Sequence, residues 1–308
     1  MLYLTIKQLK AFEVVARHLN FSRAADALYL SQPAVSMQIR QLEESIGLPL
    51  LERQGKRLFL TEAGHETLRY CRAILQQLQD LESTLGEIKG LERGRLTIAV
   101  VSTASYFISQ ILAKFIREHP QIHVTLTVAN RDTVIRQMTD HIADIAIMGQ
   151  PPDEAELVSE PFMDNPLVVI AAPDHPLAQQ KKIPITALAK ETFLLRERGS
   201  GTRGVVERFF TQHRLPLPAH LEMDTNEAIK QSVNARIGIG IISRHGIDLE
   251  LETNRLRVLD AAEFPIMRHW HIVHRKDNRL SIAARAFQDF LLREVEKIAT
   301  TGRGKKRK

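Results

Sequence analysis

Residues 21–43 read FSRAADALYLSQPAVSMQIRQLE, and this stretch decides the fold of the N-terminal part of the chain. Apolar residues recur at helical spacing on both sides of a break at Leu30, which predicts two short helices joined by a tight turn. Ser22 is placed to cap the first helix through its hydroxyl group. Pro33 suits the first turn of the second helix, where its missing N–H is not needed, and Gly47 ends that helix. The stretch therefore predicts a helix-turn-helix unit.

One helix before this pair and one hairpin after it complete the predicted unit. Thr5 and Gln8 have the spacing of a capping box, and an apolar helical stripe follows them. Residues 50–60, LLERQGKRLFL, predict two strands with Gly55 at the turn between them. The cations of this hairpin lie on or beside its turn, so the hairpin is interpreted as a basic wing.

The second helix of the pair carries a polar face that suits DNA. Its polar side chains can bond base edges and phosphates in the major groove, while Val35, Ile39 and Leu42 pack on the other helices. A basic wing neutralises phosphates, which adds affinity but little sequence choice. The alternative is a generic three-helix bundle with a solvated polar face. We predict DNA contacts at Ser22, Arg23, Ser31, Gln32, Pro33, Ser36, Gln38, Arg40, Arg53, Lys56 and Arg57.

The composition narrows the classes of protein to consider. The 308-residue chain has a net charge of +6, and residues 1–60 hold eight Lys and Arg against five Asp and Glu. Its single cysteine excludes an intramolecular disulfide framework and multi-cysteine metal sites. No apolar run approaches the roughly 20 residues that span a bilayer, and the start lacks a secretory signal pattern, so we expect a cytoplasmic protein with no membrane partner. No catalytic motif is evident, so we expect no enzyme.

A long helix is predicted after the hairpin, from Thr61 to about Lys89. Its apolar positions step alternately by three and four residues and form a heptad seam, at Cys71, Ile74, Leu78, Leu81, Leu85 and Ile88. Such a seam pairs naturally with a second chain, and a dimer would present two recognition helices to two half-sites. The alternative is a long helix packed on its own domain. We interpret Cys71 as a buried apolar residue of the seam rather than a nucleophile.

Beyond two glycines at residues 90–94, the pattern changes from helical to alternating strands and helices. The order is strand, helix, strand, helix, strand, at residues 96–101, 107–118, 124–128, 134–142 and 145–148. This order predicts a parallel sheet flanked by helices, whose ligands bind at the carboxyl ends of the strands. Helix N-termini and arginines at that edge can hold anions, although each position could equally be an ordinary cap or turn. We predict small-molecule contacts at Ser102, Thr103, Asn130, Arg131, Arg198, Gly201, Thr202 and Arg203.

The N-terminal residues resemble one family. The motifs in order are FSRAA at 21–25, LSQPAVS at 30–36, IRQLE at 39–43, PLLER at 49–53 and LTEAG at 60–64. Together they resemble the DNA-binding domain of LysR-type transcriptional regulators. Met37 stands where many members carry a basic residue, so we expect one DNA contact common in the family to be missing here.

The resemblance continues over the full length and implies a domain organisation. Together with the patterns above, it predicts an α winged helix-turn-helix domain at 1–60, a linker or dimerisation helix with a hinge at 61–93 and an α/β effector domain at 94–300. Five of the last six residues are Lys or Arg, so the basic tail at 301–308 is predicted to be disordered. The effector domain is expected to have the two-lobed, periplasmic-binding-protein-like (type 2) fold. Lobe one is expected at 94–164 and 267–300, and lobe two at 165–266.

Within the effector domain, the sequence resembles regulators of RuBisCO (Calvin-cycle) operons. The resemblance lies at residues 101–107, 129–131, 147–152 and 196–203. It implies an activator of CO2-fixation genes that responds to a small, non-covalently bound anionic effector, either a phosphorylated metabolite or NADPH, and that has no resident cofactor. The implied partners are promoter DNA, RNA polymerase and further copies of the chain in a homodimer or homotetramer. Two alternatives stay open: a regulator of another metabolic operon with a carboxylate effector, and a solute-binding module without DNA function.

Two further motifs are interpreted as structural. Residues 238–243, GIGIIS, lack the third glycine of a dinucleotide-binding loop and predict a strand. His269 and His271 lie on one face of a predicted strand, where exposed histidines are commoner than metal ligands. We therefore expect no metal site.

Overall fold

The computed structural model describes residues 3–55, 57–88, 94–153, 156–217, 219–276 and 280–305. The chain divides near residue 93 into two compact units, and each is described by itself. Three predictions fall at least partly outside the described residues: the DNA contact of Lys56, most of the glycine hinge at 90–94, and the end of the tail at 306–308.

The N-terminal unit consists of three short helices, a two-stranded hairpin and one long helix. Their bounds are α1 Ile6–His18, α2 Phe21–Leu28, α3 Gln32–Ile46, β1 Leu51–Gln54, β2 Arg57–Leu60 and α4 Glu62–Ile88. Apolar faces of α1, α2 and α3 meet in one buried core, to which the start of α4 contributes Leu68. The predicted winged helix-turn-helix is confirmed.

Local capping explains where the first three helices begin. The capping box of Thr5 and Gln8 is present at α1, and the Ser31 hydroxyl accepts from Ala34 N at α3. The predicted cap of α2 is wrong: the Asn20 side chain accepts from Arg23 N, and Ser22 lies one position inside the helix. Asn is as good an N-cap as Ser, and its position one residue before the helix lets it reach the orphan amide.

Hydrogen bonds from a side chain of α3 to the backbone hold the hairpin against that helix. Strands β1 and β2 pair antiparallel, and Gly55 turns between them with φ of 64°. The Glu43 carboxylate accepts from the backbone N–H groups of Leu50 at 2.8 Å and Leu51 at 3.2 Å. This acidic residue of α3 therefore ties the wing to the recognition helix.

Several residues of the predicted heptad seam of α4 are exposed to solvent. Ile74, Leu81 and Leu85 are exposed, with relative accessibilities of 43%, 52% and 47%. Cys71 behaves differently, because it lies in the core of the N-terminal unit and its thiol donates to Leu9 O at 3.1 Å. Burial raises the pKa of the Cys71 thiol to about 12, which leaves it protonated and unreactive at neutral pH. Cys71 is thus a buried residue, as predicted, but it faces its own unit.

The C-terminal unit contains two five-stranded sheets flanked by helices. The strands are β3 Gly94–Val101, β4 Ile122–Ala129, β5 Ile145–Met148, β6 Leu157–Asp164, β7 Leu167–Ala171, β8 Phe193–Arg196, β9 Ala219–Met223, β10 Ile239–Ser243, β11 Arg257–Val258 and β12 His269–Arg275. The helices are α5 Ser105–Glu118, α6 Arg131–Thr139, α7 Ile185–Leu188, α8 Gly201–Gln212, α9 Asn226–Asn234, α10 Asp248–Glu252 and α11 Ile282–Lys305.

Each sheet has its own hydrophobic core and forms one lobe. The first sheet has the order β4-β3-β5-β12-β6, and the second has the order β11-β7-β10-β8-β9. Both sheets are mixed rather than purely parallel, because β12 pairs antiparallel with β5 and β6, and β7 pairs antiparallel with β10 and β11. The two connections between the lobes join strands of these antiparallel pairs: residues 165–166 join β6 to β7, and residues 259–268 join β11 to β12. The predicted two-lobed α/β fold is confirmed.

Two further features concern the ends of the described chain and its helices. Helix α11 continues to Lys305, so the backbone at 301–305 is helical where a disordered tail was predicted.

Among the described helices, none is both long and apolar enough to cross a membrane.

Candidate functional site

The N-terminal unit presents a polar helix face beside a basic wing. Val35, Ile39 and Leu42 on α3 are buried, which turns the opposite face of the helix outward. Every described DNA-contact candidate is exposed except Gln38, which is half-buried: Ser22, Arg23, Ser31, Gln32, Pro33, Ser36, Arg40, Arg53 and Arg57. Arg40 pairs with Glu44 at 2.9 Å, and both side chains are largely in solvent, so a phosphate can readily replace that partner.

In the C-terminal unit, a buried arginine joins the two lobes. Arg196 at the end of β8 is 3% exposed, and its guanidinium donates to both carboxylate oxygens of Glu197, at 2.7 and 3.0 Å. It also donates to Asn226 at 2.8 Å and to the backbone carbonyl of Asp224 at 3.0 Å. A fifth bond crosses the cleft to the hydroxyl of Ser102, at 3.1 Å, directly after β3. Arg196 lies in the stretch 196–203 that carries part of the family resemblance, but it was not among the predicted small-molecule contacts.

Backbone geometry brings the N-terminus of α8 against the first lobe. Gly199 has φ of 86°, and a Cβ on it would lie 2.7 Å from the Asp132 carboxylate. A Cβ on Gly201 would lie 3.2 Å from the side chain of Arg131. The N-cap residue Ser200 makes no side-chain cap bond, so amide groups of the first turn of this 12-residue helix stay available for an anion.

Two cavities occupy the cleft. The narrow pocket, about 20 Å³, lies between Ser102, Thr103, Asn130, Thr202 and Trp270. The wide cavity, about 770 Å³, opens beside it. The eight predicted small-molecule contacts all line one or both of these cavities: Ser102, Thr103, Asn130, Arg131, Arg198, Gly201, Thr202 and Arg203. Their role in binding stays a prediction.

The two predicted loop arginines differ in their surroundings. Arg203 is neutralised, because it donates to Glu207 at 2.7 Å and to Glu222, and also bonds the carbonyl of Arg196 at 3.0 Å. Its pKa is raised, first by the bond to Glu207. Arg198 is exposed at the rim of the wide cavity. Arg203 thus holds the loop in shape, whereas the Arg198 guanidinium makes no described ion pair and acts on Glu222 only at longer range.

Residues 268–271 bring to the cleft three side chains that were not among the predicted contacts. Arg268 lines both cavities, Trp270 lines the narrow pocket and His271 lines the wide cavity. Burial, together with Arg208 and Arg131, lowers the pKa of Arg268 to about 10. Burial also lowers the pKa of His271, and His269 and Arg268 lower it further. No group of three metal-ligating side chains occurs around His269 and His271 or elsewhere among the residues the structure describes.

Family models match both units. The model described as "Bacterial regulatory helix-turn-helix protein, lysR family" matches residues 6–65. The model described as "LysR substrate binding domain" matches residues 89–296.

Relatives match nearly the whole chain. The chain is similar to the RuBisCO operon transcriptional regulator of Allochromatium vinosum, with 48% identity over 96% of this chain and 98% of the relative. Among solved structures, the regulatory domain of CcmR from Synechocystis PCC6803 in complex with 2-PG has 42% identity and a TM-score of 0.64, covering 66% of this chain and 98% of that domain. A full-length OxyR variant from Pseudomonas aeruginosa has 21% identity and a TM-score of 0.76, covering 95% of each chain, which supports the fold alone.

Proposed function

Because the chain belongs to the LysR family of bacterial transcriptional regulators, we propose that it binds promoter DNA of a RuBisCO operon and activates transcription when a small anion enters its cleft. The observation that carries this proposal is the 48% identity over nearly the full length to a RuBisCO operon regulator. The arginines that line the two cavities of the cleft support an anionic effector. As a regulator of this kind, the protein would act on the chromosome in the cytoplasm rather than as an enzyme.

For the DNA part, we propose that α3 reads bases and that the wing holds phosphates. Gln32, Ser36 and Arg40 lie on the exposed face of α3, where a recognition helix contacts base edges. Arg53 and Arg57, which flank the turn of the wing, offer positive charge to the phosphate backbone of DNA. Met37, 52% exposed on the same face, offers only an apolar contact.

For the effector, we propose a small phosphorylated anion such as 2-phosphoglycolate, the molecule in the solved structure of the 42% identical CcmR domain. The free amides of α8, the hydroxyls of Ser102 and Thr202, and the guanidinium of Arg196 are the donors that a phosphate would take. NADPH is the weaker choice, because the related domain was solved with 2-PG.

An effector in the narrow pocket would change contacts between the two lobes. The narrow pocket has room for about one water molecule, so a phosphate enters only if the lobes or side chains move. The bond from Arg196 to Ser102 is the contact it would displace or share. A second contact between the lobes places the Lys230 ammonium 5.1 Å from the centre of the Tyr106 ring. We propose that an anion shifts the lobes by changing these contacts.

The remaining parts of the proposal concern organisation and partners. We propose the division into DNA-binding, linker, effector and tail segments at 1–60, 61–93, 94–300 and 301–308. The exposed seam of α4, at Ile74, Leu81 and Leu85, fits pairing with a second chain into a dimer, and two dimers would form a tetramer. Contact with RNA polymerase would follow from activation.

Fluorescence anisotropy of the full-length protein tests the function. The DNA probes are the region upstream of its own gene, a RuBisCO promoter and a scrambled duplex of the same composition, all at one salt concentration because affinity depends steeply on salt. Each titration is repeated with 2-phosphoglycolate, ribulose 1,5-bisphosphate, phosphoenolpyruvate and NADPH. We expect promoter-specific binding that one of these anions alters. Specific binding that none alters would favour a regulator of another operon, and equal binding to the scrambled duplex would refute the proposal.

A further inference from the structure

The exposed face of α3 holds one large apolar side chain among polar ones. Met37 is 52% exposed, and the helical repeat places it beside Pro33, four residues earlier on the same face. The buried residues Val35, Ile39 and Leu42 lie on the opposite side of the helix. Met37 therefore lies near the middle of the outward face rather than at the edge of the core.

Packing within the N-terminal unit does not account for Met37. Two other apolar residues of the helix-turn-helix, Leu28 and Ile46, are partly buried because they pack against the core of the unit. Among the residues that the structure describes, Met37 lies outside that core. An apolar side chain that is half in water in the free protein gains free energy when a partner covers it.

The charges around this face indicate the kind of partner. Arg40 is exposed about one turn further along the same face of α3. The same unit also exposes Arg23 on α2 and Arg53 and Arg57 on the wing. A surface with these cations attracts a polyanion, so the partner that covers Met37 is DNA.

The position of Met37 along α3 indicates the bases rather than the backbone of that DNA. In a helix-turn-helix, the N-terminal residues of the second helix contact base edges in the major groove. Met37 is the sixth residue of α3 and lies about 7.5 Å along the axis from the first. Its thioether is only a weak acceptor, and the apolar group that base pairs present in the major groove is the C5-methyl of thymine.

We propose that Met37 packs against the C5-methyl group of a thymine, so that each half-site of the operator carries a thymine where Met37 enters the groove. The flexible, polarisable side chain of methionine adapts to irregular surfaces such as the edges of stacked bases. This proposal rests on the proposed DNA-binding function and adds a base-specific contact to it.

Fluorescence anisotropy with thymine-to-uracil substitutions tests the contact. Deoxyuridine pairs as thymidine does but lacks the C5-methyl group, so each probe removes one methyl group from the promoter duplex. Full-length wild type, Met37→Ala and Met37→Leu are titrated with these probes and with a scrambled duplex at one salt concentration. The control is Leu48→Ala, which truncates an apolar side chain that is 54% exposed and lies beyond the end of α3.

We expect one thymine in each half-site at which uracil weakens wild-type binding about fourfold, the effect of one methyl group left uncovered. Met37→Ala should bind the thymine and uracil probes equally, because it no longer reaches the methyl group. Met37→Leu keeps an apolar tip and should retain most of the preference, and Leu48→Ala should match wild type on every probe. All four proteins should bind the scrambled duplex equally, which shows that each DNA-binding unit is folded.

The outcomes separate this contact from the function on which it rests. If uracil has the same effect in wild type and Met37→Ala at every position, the thymine contact is refuted, while a retained promoter preference keeps the DNA-binding function. If Met37→Ala weakens binding to the promoter and the scrambled duplex equally, Met37 contacts the sugar-phosphate backbone instead. If wild type itself binds both duplexes alike, the proposed function fails and the thymine contact fails with it.

Discussion

Replacing Arg196 by methionine tests how the cleft is held together. Methionine keeps most of the side-chain volume but removes the charge and all five hydrogen bonds of the guanidinium, which is 3% exposed. Glu197, with a side chain 13% exposed, then loses its cation. Breaking a buried ion pair by removing one partner costs about 3–5 kcal/mol of unfolding free energy.

That loss should appear as a large shift in thermal unfolding. For a unit of roughly 200 residues, each kcal/mol lowers Tm by about 2–4 °C, so Arg196→Met should lower Tm by at least about 6 °C. Trp270 is the only tryptophan and lies in the C-terminal unit, so its fluorescence follows the unfolding of that unit alone. Thermal scans of the full-length protein at one concentration provide the measurement.

Two further variants make the result specific. Ser102→Ala removes only the bond across the cleft and should cost about 1 kcal/mol. Arg236→Ala removes an arginine whose ion pair with Asp174 is exposed on both sides, and its midpoint should match wild type within the scatter of repeat scans. If Arg196→Met unfolds within about 2 °C of Arg236→Ala, the buried network contributes little and the reasoning fails.

Three other perturbations address the DNA unit and the pH dependence of the cleft. Arg53→Ala should weaken DNA binding equally across sequences and lower the salt slope by about one unit, and an unchanged slope would place Arg53 away from phosphate. Gly64→Ala puts a Cβ 2.0 Å from Leu50 O, so it should destabilise the N-terminal unit by about 1–3 kcal/mol and reduce DNA binding while tryptophan-detected unfolding stays unchanged. Burial lowers the pKa of His271, so the ring is neutral at about pH 7.5, and a bound anion favours its protonation. Effector affinity, measured by calorimetry, should therefore rise more from about pH 7.5 to about pH 6 in wild type than in His271→Gln. Identical pH profiles of the two proteins would exclude His271 from the site.

The DNA-binding unit could be predicted almost entirely from sequence because its signals are local. The cap of α1, the Gly47 stop of α3 and the Gly55 turn each depend on a few neighbouring residues, and all three occur as predicted. The exception, Asn20 in place of Ser22 at α2, is also local: two good capping residues stand two positions apart, and the position of the chain turn chooses between them.

The cleft was predicted only in part. The rule that ligands bind at the carboxyl ends of strands predicted a site after β3 and β4, and Ser102 and Arg131 from those positions line the narrow pocket. Both loop arginines have carboxylate partners, but Arg203 bonds Glu222 within its own lobe whereas Arg196 also bonds Ser102 across the cleft, and sequence could not tell the two apart. That difference depends on where Glu222 and Ser102 lie in space, and neither is a sequence neighbour.

By itself, the sequence determined the helix-turn-helix, the wing, the heptad seam of α4 and the family, because caps, turns and periodicity act over a few residues and the family motifs are dense. Only the tertiary structure decided that Cys71 faces its own core, that the sheets are mixed, and that Arg268 and Trp270 meet Ser102 in one cleft. These residues are far apart in the chain, and they meet because the chain crosses from lobe two back into lobe one at β12, which β5 separates from β3 in the sheet. Contacts made by such a crossover depend on how two sheets are placed together, and no local pattern encodes that placement.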